Sequence, residues 1–136
     1  MTKDFELREF LYSRFYAEAN VQDKVIESYE QDVAVQDNLQ ILAEQLQVIR
    51  DYIAKPITIN IAYRPEFWER LRGRSGTSQH CLGKAADITV RGMSTKVLHQ
   101  IILNLIKEGK IVNGGLGLYQ TFIHYDIRPY PARWSK

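Results

Sequence analysis

The sequence holds three histidines, and two of them, His80 and His124, sit where side chains of opposing strands or adjoining loops can converge. Read as a strand, residues 122–128 place Phe122, His124, Asp126 and Arg128 on one face and Ile123, Tyr125 and Ile127 on the other, because successive side chains alternate. Residues 85–90, read the same way, set Ala85, Asp87 and Thr89 opposite Ala86, Ile88 and Val90. Aspartate is depleted in strands and costly to bury alone, so Asp87 needs a partner. A metal is an adequate one, since a carboxylate and two neutral imidazoles suit Zn²⁺ and leave a fourth position for water. Zinc lowers the pKa of such a water from about 15.7 toward about 7 and polarises a carbonyl oxygen, and peptide hydrolysis needs both effects. It also needs a base for the water's proton and a cation or donor for the oxyanion or a substrate carboxylate.

Strands and turns must position these residues. Residues 38–53 carry Leu39, Leu42, Leu46, Ile49 and Ile53 at three- and four-residue steps behind Asp37, a candidate N-cap, which predicts an amphipathic helix closed by Pro56. Residues 57–63 alternate Ile57, Ile59, Ile61 and Tyr63 with Thr58, Asn60 and Ala62, the pattern of a half-buried strand, and Arg64 stands at its end. A polar, glycine-rich stretch over 70–83 leads into the 85–90 strand. A helix over 95–108 follows, capped by Ser94 and closed by Gly109, with Val97, Leu98, Ile101, Ile102, Leu105 and Ile106 as its apolar stripe. Asn113, Gly114 and Gly115 signal a turn before two closing strands over 116–119 and 122–127. Helices first and strands later, without βαβ alternation, predict an α+β fold with a small, mostly antiparallel sheet.

With 136 residues and no repeat, linker or low-complexity tract, the chain reads as a single domain over 1–136. A composition of 45% hydrophobic and 25% charged residues excludes disordered, collagen-like and membrane classes. The net charge of +2 is spread over mixed-sign stretches, which argues against a nucleic-acid partner. The single Cys81 excludes an internal disulfide and is silent on compartment. The N-terminus lacks the apolar run of a secretory signal and no segment reaches membrane-spanning length, so the expectation is synthesis in the cytoplasm. A substrate outside the membrane then requires another delivery route, such as a lysis pore, a secretion system or a phage particle.

Three blocks invite a family comparison: Tyr63 and Arg64; Ser78, Gln79 and His80 with Gly83, Ala85 and Asp87 in the pattern S-x-H-x-x-G-x-A-x-D; and Phe122 to Asp126. In order and content they resemble the M15 family of zinc D-Ala-D-Ala carboxypeptidases and related peptidoglycan endopeptidases, most of all subfamily A of that family. The resemblance implies a hedgehog/DD-peptidase-like fold, with N-terminal helices over 1–55 and a metal-binding core over 56–136. It implies that His80, Asp87 and His124 hold Zn²⁺ and that Arg64 contacts the substrate carboxylate or the tetrahedral intermediate, while Ser78 shapes the loop at the substrate site. The implied substrate is peptidoglycan stem peptide. Much of the family carries a carboxylate base three residues before the last histidine, where this chain has Thr121. Asp126 is the nearest replacement, with a second role open to it: orienting a ligand histidine or holding Arg128.

Plainer readings exist for each residue. His80 alone is an ordinary loop histidine, His124 alone a core histidine satisfied by a neighbour, and Arg64 a brace paired with Glu66 or Glu69. His99, on a helix, is left out of the site, and Cys81 reads as a small buried filler rather than a fourth ligand. The aromatic residues Tyr119, Phe122, Tyr125, Tyr130 and Trp134 either line a cleft or pack the core, and the cluster Arg70, Arg72 and Arg74 is explained by a solvated loop as well as by wall binding. The competing function is a zinc-containing wall-binding module of the same fold that has lost turnover.

Overall fold

The computed structural model describes residues 1–136. Four helices come first: α1 (Leu7–Leu11), α2 (Arg14–Glu18), α3 (Gln22–Glu30) and α4 (Val33–Ile53). Strand β1 (Ile57–Ile61), helix α5 (Glu66–Leu71), a 3-10 turn (Gln79–Leu82) and β2 (Ala85–Val90) lead to α6 (Thr95–Lys107). Strands β3 (Gly115–Leu118), β4 (Ile123–Asp126) and β5 (Ala132–Ser135) close the chain. The sheet order is β1-β2-β4-β3-β5, antiparallel except where β5 runs parallel to β3. The α+β class and the mostly antiparallel sheet agree with the sequence.

Helix α4 begins five residues earlier than its hydrophobic pattern suggested. Asp32, not Asp37, is the N-cap, its carboxylate accepting the Val35 N–H at 3.1 Å, and Asp37 lies exposed within the helix. Val35, Leu39, Leu42, Leu46 and Ile49 form the buried stripe. Ala54, at φ 55°, ends the helix in a left-handed turn two residues ahead of Pro56. Helix α6 starts as expected, with Ser94 Oγ accepting the Val97 N–H, but Val97 itself is exposed and the buried stripe narrows to Leu98, Ile102, Leu105 and Ile106.

Strand β1 stops at Ile61, short of Tyr63, because the next residues bond outside the ladder. The Tyr63 N–H donates to Phe10 O at 3.0 Å, the Arg64 N–H donates to His80 O at 3.1 Å, and Tyr16 Oη donates to Tyr63 O at 2.8 Å. The N-terminal helices thereby hold the strand end that carries Arg64. A bulge between Ile59 and Ile61 shifts the register, so Ile59 lies opposite Ile88 and Ile61 opposite Asp87.

The stretch 70–83 begins in the last turn of helix α5 and carries the 3-10 turn. Helix α5 buries Trp68 and Glu69, and the 3-10 turn that follows packs on α4. Gly83 makes that contact possible: its φ is +73°, and a side-chain carbon there would stand 2.9 Å from the Val35 carbonyl. Asn38 Nδ2 ties the same turn to α4 by donating to Leu82 O at 2.8 Å. The buried faces of α1 to α4, α6 and the inner side of the sheet form one hydrophobic cluster, which leaves the opposite side of β2 and β4 to polar residues.

Candidate metal centre

Register brings the first two candidate ligands together. Asp87 on β2 pairs directly with His124 on β4, and residues opposite one another on neighbouring strands project to the same side. Asp87 Oδ1 lies 3.1 Å from His124 Nδ1. The third arrives from the 3-10 turn, with His80 Nε2 at 3.3 Å from the same oxygen. One ligand atom from each residue falls within 4.8 Å of the others. Donors about 2.0–2.2 Å from a tetrahedral zinc stand about 3.2–3.6 Å apart, so this donor set fits the ion.

The outer nitrogen of each imidazole is fixed by an acceptor. His80 Nδ1 lies 2.8 Å from the Ala62 carbonyl, which can only accept, so Nδ1 carries the proton and Nε2 presents a lone pair. His124 Nε2 lies 2.7 Å from Asp126 Oδ2, which assigns Nδ1 to the cluster. Burial lowers the His124 pKa, but its bonds to Asp126 and Asp87 outweigh burial and raise it above the ordinary imidazole value. For Asp87 burial pushes upward, and the two histidines overcome it to hold the carboxyl well below the usual range.

Asp126 sits behind His124 and is fully buried. Its Oδ1 accepts from Gly115 N at 2.9 Å and from Arg128 N and Nε at 3.1 and 2.9 Å, and its Oδ2 accepts from Arg128 and His124, both at 2.7 Å. Burial raises its pKa, and the bonds from His124 and Arg128 more than reverse the shift. Both oxygens are therefore occupied by donors of the chain itself. Thr121 is exposed in the β3–β4 turn.

The cluster opens into a cleft of about 550 Å³. Arg64 and Ser78 lie on one side of it, with Tyr119, Phe122, Tyr130 and Trp134 among the other lining residues. Trp134 packs 5.0 Å from the His124 ring and donates from Nε1 to Tyr119 Oη at 2.9 Å, and Tyr119 stacks on Phe122 at 4.2 Å. Four of the five aromatic residues singled out in the sequence thus face the cleft. Tyr125 is in the core, bonded to Val112 O. Cys81 approaches Ser78 Oγ at 3.6 Å and is outside the ligand cluster, and His99 lies on α6 beside a separate groove. A larger groove of about 700 Å³ at the start of α6 holds no cluster of metal-binding side chains.

Strand β5 and the packing role of the β3 glycines were not singled out by sequence, whereas Glu69 was named there as a possible partner of Arg64 and is paired with it at 3.5 Å. Trp134 reaches His124 because Gly117 has no side chain; a carbon there would collide with the indole. The alternation of glycine with leucine in β3 was the available signal, as glycine in a strand marks close approach by another group.

An α+β fold with a largely buried His-Asp-His cluster at the floor of an open cleft has the makings of a metal-dependent hydrolase. A family model described as Peptidase M15 matches residues 9–126, and the chain belongs to that family. No curated protein matches the chain. M15 peptidases are generally zinc-dependent, in keeping with the ligand types gathered here. No helix is long and apolar enough to cross a membrane.

Proposed function

We propose that this chain is a zinc peptidase that hydrolyses a peptide bond in peptidoglycan stem peptide, as a D-Ala-D-Ala carboxypeptidase or an endopeptidase, within one domain spanning 1–136. The observation that supports it most is the convergence of His80 Nε2 and His124 Nδ1 on Asp87 Oδ1, at 3.3 and 3.1 Å, with each outer nitrogen held by an acceptor. In this reading His80, Asp87 and His124 hold the metal. Zinc, when bound, supplies an acidified water and polarisation of the scissile carbonyl.

The chain's own residues bind and position the substrate and hold the ligands in place. Arg64 receives the substrate carboxylate, since no bond within the chain engages its two terminal nitrogens, whereas Arg128 is committed to Asp126. Ser78 shapes the loop beside it. The aromatic side chains of Tyr119, Phe122 and Trp134 shield one wall of the cleft from water. Asp126, which the sequence offered first as the general base and only second as an orienting group, is assigned the orienting role instead. A carboxylate with every lone pair occupied and no exposure is poorly placed to take a proton from a water in the cleft.

A second reading, a zinc-containing wall-binding module without turnover, draws support from a specific observation: Asp87 is the only carboxylate on the cleft wall. One experiment separates the two. Zinc content and hydrolysis of purified stem peptides are measured on the same sample for wild type, His80→Ala and Asp126→Ala. Stoichiometric zinc with cleavage, both lost in His80→Ala, supports the peptidase. Bound zinc with no cleavage of any stem peptide supports the module, and a wild type that fails to hold zinc sinks both.

A further inference from the structure

Glu69 is 2% exposed, the most deeply buried acidic side chain outside the candidate metal centre. A carboxylate is not removed from water unless cations or donors compensate it. Its partners come from three segments. Arg74 pairs with it through Nε at 2.6 Å and also through a terminal nitrogen, and Ser78 Oγ donates from 3.4 Å. Arg64 Nε, buried and without a hydrogen-bond partner, stands at ion-pair distance from it, 3.5 Å. Arg74 N–H adds a bond to the Glu69 carbonyl at 2.8 Å. Glu69 thus joins the end of β1, helix α5 and the loop that delivers His80.

Arg64 is the charged partner that faces the cleft. Its side chain is 24% exposed and has no contact with any other acidic group. Glu69 faces it at Nε, the inner edge of the guanidinium, and leaves the outer edge free. With two arginines and one glutamate, this triad carries a net single positive charge beside the ligand cluster. Left without the anchor, a long arginine side chain samples many rotamers and gives up part of its binding free energy to being ordered.

We infer that Glu69 is a positioning residue, whose buried carboxylate orients Arg64 so that the free edge of its guanidinium meets a carboxylate in the cleft. The inference rests on the role assigned to Arg64 above. Orientation and simple charge predict opposite signs: loss of the Glu69 charge makes the site more positive, which by itself tightens anion binding, whereas loss of the anchor weakens it.

The test is NMR titration of zinc-loaded protein with N-acetyl-D-alanine and with N-acetyl-D-alaninamide, neither of which requires turnover. Wild type is expected to prefer the carboxylate by about tenfold, the worth of one charge-assisted bidentate contact. Glu69→Gln is expected to abolish that preference at unchanged zinc stoichiometry, and Arg74→Met, which leaves the Arg64–Glu69 pair in place, to keep it. Should Glu69→Gln not fold, Glu69→Asp, one methylene short of Arg64, is expected to show a reduced preference. An unchanged or sharpened preference in the Glu69 variants overturns the inference, as does its loss in Arg74→Met to the same degree. A wild type without preference overturns the role of Arg64 and the inference with it, while a wild-type preference untouched by Glu69 sinks the inference alone.

Discussion

His124 Nε2 donates to Asp126 Oδ2 across 2.7 Å, and that bond links the candidate metal cluster to a buried ion pair with Arg128. The ring is held from both sides, by Asp126 at Nε2 and by Asp87 at Nδ1. A ligand imidazole fixed in this way keeps Nδ1 aimed at the cluster without help from the ion.

Replacing the partner that fixes the ring should therefore weaken metal binding before it touches any substrate contact. Asp126→Asn is expected to lower zinc affinity by about 10- to 100-fold, as loss of a carboxylate behind a ligand histidine does elsewhere. Competition with a chromophoric chelator measures it, and an affinity equal to wild type would remove Asp126 from the support of the cluster.

The raised pKa of His124 gives zinc uptake a pH dependence of known sign. Below that pKa the ion must displace a proton from Nδ1, so affinity falls with acidification, beginning at a higher pH than for an ordinary imidazole at 6.5. The metal-free protein behaves in the opposite way. A raised folded-state pKa contributes stability that is complete below the unfolded value and is lost as pH rises through the folded one. Thermal melts of metal-free and zinc-loaded protein across neutral pH should diverge, with the gap widening as pH rises. A gap that stays constant or narrows would remove His124 from the groups that set zinc uptake.

Gly117→Ala is expected to destabilise the protein by about 1–3 kcal/mol, because the new methyl group meets the Trp134 indole in a packed layer. Trp134 would have to leave both His124 and Tyr119. Chemical denaturation with tryptophan emission as the probe reads both effects, and an unshifted midpoint would show that the indole yields without cost.

At alkaline pH the buried tyrosines set the limit. Burial pushes Tyr63 up to about 12 and raises Tyr16 and Tyr125 further, from an ordinary value of 10.0. Because these folded-state values are raised, the stability they contribute is intact below pH 10.0 and is lost as pH climbs toward the folded values. Tyrosinate absorbance should rise in two stages, the exposed hydroxyls first and the buried ones together with unfolding. A single early titration would show that these side chains are open to water.

Local pattern determined a good part of this protein. Alternation over 85–90 and 122–128 placed Asp87 on one polar strand face and His124, Asp126 and Arg128 on another. Helical spacing and capping residues located α6 and most of α4, since side-chain direction and cap chemistry depend only on near neighbours in the chain. The resemblance to M15 peptidases was legible because its blocks, from Arg64 through S-x-H-x-x-G-x-A-x-D to His124, are short and each is contiguous. Tertiary structure decided what depends on residues remote in sequence. The register that sets Asp87 against His124, the swing of His80 toward both, and the five bonds that occupy Asp126 are contacts made only once the chain has folded. So are the burial of Glu69 and the parallel pairing of β5 that brings Trp134 over Gly117. Pairing and burial are properties of the folded chain as a whole, and no local spacing encodes which of several polar faces will meet.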